Sequence, residues 1–173
     1  LRDGPGGIDK EGGIGDRDYL RATARVSWTA PAGPGLIAFA AEGGAGTRQL
    51  PAYRSFAIGG WGTLPGEPFR AWGGRRSALA SLEYRIDVPF AAVPLGAFIT
   101  TGPTITLAPF VAAGWTGGEM PGLPWRPSGE PRPVAGIALE WFHHLLRLET
   151  GVSLRTGRVG VTVDLNRDWW GIL

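Results

Sequence analysis

Apolar and polar residues alternate along this chain for ten or more positions at a stretch, and that rhythm constrains the fold more than any other feature. Between Tyr19 and Ala30, the residues Leu20, Ala22, Ala24, Val26, Trp28 and Ala30 are apolar. Tyr19, Arg21, Thr23, Arg25, Ser27 and Thr29 between them are nearly all polar. Side chains of a strand alternate between faces, so such a segment has one greasy face and one wet face. Strands of soluble proteins are mostly about 5–6 residues long, whereas a strand crossing a bilayer needs roughly 9–11. Length and purity together predict an antiparallel transmembrane β-barrel wall, with lipid on one side and a polar lumen on the other.

Composition agrees. The 173 residues can make one domain. No run approaches the roughly 18 apolar residues of a membrane helix, and the mean hydropathy is 0.00, as expected where two faces cancel. The 29 glycines and 15 prolines cluster between the alternating stretches, which argues against a helical protein. The chain lacks cysteine, which is compatible with an oxidising periplasm. It starts at Leu1 without a signal peptide and is expected to be a fragment or mature segment of something longer. The net charge of +2 comes with a pI near 9.5. The arginines, however, are dispersed among apolar residues without a basic stripe, so no nucleic-acid partner is expected.

Residues 1–18 are rich in glycine and aspartate and read as loop or frayed terminus, leaving 19–173 as the barrel segment. Tyr19–Thr29 is the first clear strand, and a turn at Pro31, Gly33, Pro34 and Gly35 follows. Leu36–Glu42 is shorter, with Gly43, Gly44 and Gly46 expected to turn the chain. Thr47–Ile58 reads as extended, though Pro51 lies inside it, and a glycine-rich loop spans about Gly59–Arg76. Ser77–Phe90 alternates again, with Ala78, Ala80, Leu82, Tyr84, Ile86 and Val88 on one face and Ser77, Ser81, Glu83, Arg85 and Asp87 on the other. Thr104–Trp115, Val134–His143, Leu145–Arg155 and Val159–Trp170 bring the total to about eight strands.

Trp28, Trp115, Trp141 and Trp169 all share the parity of their strand's apolar face and sit near strand ends. Membrane barrels place aromatic girdles at both interfaces in this way. Alternating strand directions put Trp28 and Trp115 at one rim, Trp141 and Trp169 at the other. Glu83, Arg85, Asp87, Arg147, Glu149 and Asp164 share the opposite parity and form an expected polar network in the lumen. The carboxylates of Glu83 and Asp87 could pair for acid–base work, but the intervening Arg85 would neutralise both. His143 and His144 lack a third ligand and do not make a zinc site. No Gly-x-Ser-x-Gly elbow or phosphate loop is present. Neither a catalytic residue nor a cofactor nor a metal is therefore expected.

Three stretches add to this reading: Leu50-Pro-Ala-Tyr-Arg-Ser-Phe-Ala-Ile-Gly-Gly-Trp-Gly-Thr-Leu-Pro-Gly66, Leu82-Glu-Tyr-Arg-Ile-Asp-Val88 and Pro109-Phe-Val-Ala-Ala-Gly-Trp115. In order and rough spacing, over about residues 47–170, the chain resembles the surface-antigen barrel of the BamA/TamA outer-membrane superfamily. The resemblance implies the C-terminal half of a sixteen-strand barrel, with the other half upstream of Leu1. It implies a long external loop that folds back into the lumen, and it makes Gly59, Gly60, Thr63, Leu64, Pro65, Gly66, Glu67 and Arg70 the loop tip. The last strand, with Val161, Val163, Leu165 and Trp169, would be the signal read by the barrel assembly machinery.

Two departures matter. The family's loop arginine falls on Pro65 and its loop aromatic on Glu67, while the strand aspartate that the arginine meets falls on Ala112. Losing both partners is coherent, because a single lost partner would leave a buried charge at a cost of several kcal/mol. The tip must then be anchored otherwise, through Arg70 or Glu67 reaching Glu83, Arg85 or another lumen group. The resemblance implies a non-enzymatic protein of the bacterial outer membrane, in contact with its lipid. Such a protein assembles or translocates a protein substrate, or anchors an upstream domain. The alternatives are a passive, self-contained eight-stranded barrel acting as anchor or adhesin, and a soluble β-sandwich binding module.

Overall fold

The computed structural model describes residues 8–9, 19–94, 100–120, 126–142 and 145–165. The protein is all-β and is built on one large antiparallel sheet. Seven strands of 7–14 residues form it in the order β2 (Arg21–Ala32), β3 (Gly35–Gly46), β6 (Arg76–Pro89), β7 (Thr104–Gly117), β8 (Arg132–Trp141), β9 (Leu146–Ser153) and β10 (Val159–Leu165). The two-residue β1 (Ile8–Asp9), inside the stretch expected to be loop, pairs with Ala22 and Arg21 at one edge. Among the described residues β2 and β10 do not pair with each other, so the sheet has two ends.

The register explains why alternation dominates the sequence. One row of partners runs across the sheet as Trp28, Phe39, Leu82, Val111, Ala135, Val152 and Val159, all on one face. Much of that face is bare: Trp28, Leu82, Val111, Ile137, Leu148 and Val163 are between 43 % and 67 % exposed, while Phe39, Leu107, Leu139 and Val152 among them are half-buried by their neighbours. The other face is covered, and from Thr106 through Ala108, Phe110 and Ala112 to Thr116 the buried residues of β7 are those of even number, with Gly117 buried beside them at the strand end. Pro109 has no N–H to give a ladder. The pairing of β6 with β7 is accordingly interrupted between Glu83↔Phe110 and Ile86↔Leu107.

Two expectations fail here for one reason. Gly43, Gly44 and Gly46 do not turn the chain but continue β3. Thr47–Ile58 is not a wall strand: it holds a 3₁₀ turn at Ala52–Arg54 and only then β4 (Phe56–Ile58), which pairs with β5 (Trp72–Gly74) in a separate two-stranded sheet. Pro51 opens that turn at φ −63°. Gly44 and Gly46 carry no side chain because the Phe56 ring and the Leu50 side chain occupy the space. The segment therefore lies on the covered face instead of extending the wall.

Removing one wall strand from the count reverses every later strand direction. Trp28 and Trp141 consequently lie toward the end of the sheet that carries the β2–β3 and β8–β9 turns, and Trp115 toward the opposite end. Trp28 and Trp115 do not share a rim. Trp169, the terminal aromatics and the turn at His143–His144 lie outside the described residues.

Candidate functional site

The covered face carries two features that meet over β7, β8 and β9: a folded loop and a charge network. The loop is shaped by its glycines and by Thr63. The N–H of Gly60 donates to the Leu64 carbonyl at 3.0 Å and that of Leu64 donates back at 3.0 Å, closing a tight turn. Thr63 Oγ1 accepts from the Gly59 N–H at 2.9 Å, and the Arg70 N–H donates to the Gly59 carbonyl at 3.0 Å. The turn drives Leu64 into the sheet, where it is fully buried with Ile58, Phe110, Ala112 and Val134. A Cβ on Gly114 would lie 2.9 Å from both Ile58 and Leu64, so this strand position must be bare.

Pro65, Gly66 and Glu67 then dock on the last hairpin. Gly66 has φ +101°, a left-handed conformation that suits glycine, and a Cβ there would fall 2.7 Å from the Ser153 nitrogen. On the hairpin side, a Cβ on Gly151 would lie 2.8 Å from the Pro65 carbonyl oxygen, and one on Gly160 would lie 2.5 Å from the Gly66 nitrogen. Glycine facing glycine lets two backbones touch. Glu67, 6 % exposed, fixes the contact: its Oε1 accepts from Ser153 Oγ at 2.7 Å and its Oε2 from Trp72 Nε1 at 3.1 Å. The Arg132 guanidinium stacks 3.8 Å above the Trp72 ring.

Of the two anchors expected, Glu67 reaches a group on the sheet, and that group is Ser153. Arg70 stays exposed beside the Phe69 ring, 5.5 Å from its centroid. Ala112 packs in the same apolar cluster as Leu64. Apolar packing thus stands where the resemblance has an ion pair, an exchange that is often neutral or stabilising.

The charge network centres on Arg147 of β9. Its Nη2 donates to Glu83 Oε2 at 2.6 Å, its Nε to Glu149 Oε1 at 2.7 Å, and its Nη1 to Glu140. Arg85 pairs with Glu83 and lies 3.9 Å from Glu140. Asp87 joins through Thr106, whose Oγ1 donates to Asp87 Oδ1 at 2.5 Å. Thr162 Oγ1 donates to Glu149 at 3.3 Å. Asp164 is opposite Arg147 in the β9–β10 register and lines a cavity of about 420 Å³ with Thr63, Pro65, Ser81 and Phe110. All six residues expected in the network thus stand on the covered face. Five carry the bonds just given.

Glu140 is the member the sequence reading missed. It is only 3 % exposed. Its signal was available: Val134, Gly136, Ala138 and Glu140 alternate against Ala135, Ile137, Leu139 and Trp141, which places Glu140 on the polar side. Acidic groups exceed arginines around the cavity, where Arg25, Arg85 and Arg147 stand among Glu42, Glu83, Glu140, Glu149 and Asp164. The arrangement binds β6, β8 and β9 together and offers room for water and ions above them.

These features define an all-β protein whose sheet keeps its charge network and a folded loop on one side and mostly bare hydrocarbon side chains on the other. A search against protein-family models finds no match for the chain, and a search of curated proteins finds none of significance.

Proposed function

We propose that the chain is a wall segment of a bacterial outer-membrane β-barrel of the BamA/TamA surface-antigen type. The carrying observation is the bare face, where a continuous apolar row crosses seven strands with no segment packed on it among the described residues. Soluble monomers rarely expose contiguous apolar patches beyond a few hundred Å². Lipid touching that face removes the problem, and the charges on the covered face then line a lumen. The barrel closes through further strands at the two ends of the sheet. Its role is non-enzymatic: it assembles or translocates outer-membrane proteins, or anchors an upstream domain, with membrane lipid and the assembly machinery as partners.

The loop argues for the wide barrel over a self-contained one. The lumen of an eight-strand barrel has room only for its own side chains. Here the covered face must also hold the chain from Leu50 to Trp72. Refolding of the full-length protein tests the reading. It should reach a folded state with detergent or lipid vesicles and precipitate without them. A folded, monodisperse protein in plain buffer would identify a soluble sandwich instead.

A further inference from the structure

We propose that the bare face carries a binding groove for an anionic phospholipid, with one acyl chain lying on β3, β6 and β7 and the headgroup at Arg76. The inference rests on the membrane reading above and adds to it a preferred lipid and a place.

The bare face is not uniform. Its bulky row of Trp28, Phe39, Leu82 and Val111 gives way, toward the loop end, to two rows made mostly of alanine and glycine and flanked by Val26 and Trp115. Val26, Ala41, Ala80 and Ala113 form the first, and Ala24, Gly43, Ala78 and Trp115 the second. The result is a groove of about 510 Å³ with an almost wholly apolar lining. That is within the roughly 300–1,000 Å³ of sites that hold small organic ligands. Trp115 walls one side: its ring lies over Gly117, and its Nε1 donates to the Gly129 carbonyl at 3.3 Å, drawing in the loop that supplies Pro131.

The groove runs out at a cation. Arg76 is the next residue of β6 on the same face beyond Ala78, it is exposed, and its cross-strand partners are Ala45 and Gly117. The surrounding rim is basic. Arg48, Arg70, Arg126, Arg155 and Arg158 are exposed at this end of the sheet. Among the described acidic residues there, Glu67 is buried against Ser153, Glu130 is paired with Arg155, and Glu119, just past the end of β7, is exposed, so the arginines still outnumber the exposed carboxylates at this end. The sequence alone showed arginines dispersed along the chain; folding brings six of them, Arg76 included, to one end.

Charge complementarity selects the occupant. An apolar trough that opens at a guanidinium fits an amphiphile with an anionic head, and arginine matches phosphate oxygens in a bidentate manner. A second copy of the chain fits worse, because copies in one membrane share an orientation and would bring two basic rims together.

Spin-labelled lipids test this on the full-length protein in phosphatidylcholine vesicles. The motionally restricted fraction is compared for labelled phosphatidylglycerol and labelled phosphatidylcholine. We expect phosphatidylglycerol to be preferred about fivefold, the effect of one basic side chain at an anionic headgroup. Arg76→Gln should remove most of the preference and Arg76→Lys should keep it. Ala80→Phe, which fills the trough from the lipid side, should lower the restricted phosphatidylglycerol without altering the resistance of the folded barrel to heat. Equal restriction of the two lipids by the wild type would sink the groove and leave the membrane reading standing. A preference indifferent to both Arg76→Gln and Ala80→Phe would also sink it. So would a dimer that Ala80→Phe dissolves while lipid preference stays unchanged. No restricted lipid of either kind would instead remove the membrane reading itself.

Discussion

The two faces of the sheet share the same seven strands and the same ladders, yet they are built by opposite rules. On the bare face the register lines up Trp28, Phe39, Leu82, Val111 and Val152, and no other described segment of the chain is laid across them. On the covered face, side chains are absent where the loop comes nearest: Gly44 below Phe56, Gly114 below Leu64, Gly151 below Pro65 and Gly160 below Gly66. Charge follows the same division, since Glu83, Arg85, Glu140, Arg147 and Glu149 all lie on the covered side. The difference teaches that each face is shaped by its neighbour. One is left greasy and open, the other is contoured for one specific segment of chain.

The comparison is broken most severely by emptying the centre of the covered face. Arg147→Met leaves Glu83, Glu140 and Glu149 crowded without their shared cation. Removing one partner of a buried ion pair costs about 3–5 kcal/mol. Urea unfolding of the protein in lipid vesicles should show a loss of that size. An unchanged midpoint would mean that water, and not Arg147, neutralises the carboxylates.

Next in size is a charge placed on either face of one strand. Leu82→Arg, in mid-strand on the bare face, should cost about 2–4 kcal/mol in bilayers, while Ser81→Arg on the covered face should cost much less. The measurement is the same vesicle-based unfolding. Equal effects would abolish the distinction between the faces.

Adjacent positions such as these explain what could be read from the sequence. Alternation in 19–30 and 77–90 is a local property, so the wall strands and their faces follow from side-chain parity alone. Glu83, Arg85, Asp87, Arg147, Glu149 and Asp164 were legible for the same reason, and Glu140 would have been had parity been applied to β8. What was not legible is set by distant partners. Gly44 and Gly46 look like turn formers until the Phe56 ring and the Leu50 side chain are placed against them. Thr47–Ile58 looks extended because nothing in its own residues says that it leaves the wall. The rims of Trp28 and Trp115 inherit that error, since one miscounted strand inverts the direction of all that follow. Ser153, the partner of Glu67, lies 86 positions away, and no local pattern joins them.

A smaller effect is expected where the loop tip meets the last hairpin. Gly66→Ala adds a methyl group at φ +101°, and that methyl falls 2.7 Å from the Ser153 nitrogen. Strain of this kind costs roughly 1–3 kcal/mol. The tip should lift from the hairpin and be cut by protease within 59–72 while the wall strands stay intact. Resistance equal to the wild type would show that the tip is held by Leu64 and not by the glycine contact.

The smallest effect isolates the bond that fastens the tip. Glu67→Gln and Ser153→Ala each alter the 2.7 Å contact between Glu67 Oε1 and Ser153 Oγ. Each single change also touches something else. Glu67→Gln weakens the acceptor for Trp72 Nε1, and Ser153→Ala leaves a nearly buried side chain one donor short. A double-mutant cycle cancels those separate terms and leaves the pairwise one, expected at about 1 kcal/mol. Stability in lipid vesicles is one readout, and protease cleavage of the tip is the other. If the anchor holds the loop, the coupling should appear in both. Coupling in stability without any change in cleavage would mean that the bond braces the β9–β10 hairpin, with Leu64 and Pro65 alone keeping the tip in place. Zero coupling in both would assign the docking to the facing glycines, because Gly66, Gly151 and Gly160 let the backbones touch whether or not a side chain reaches across.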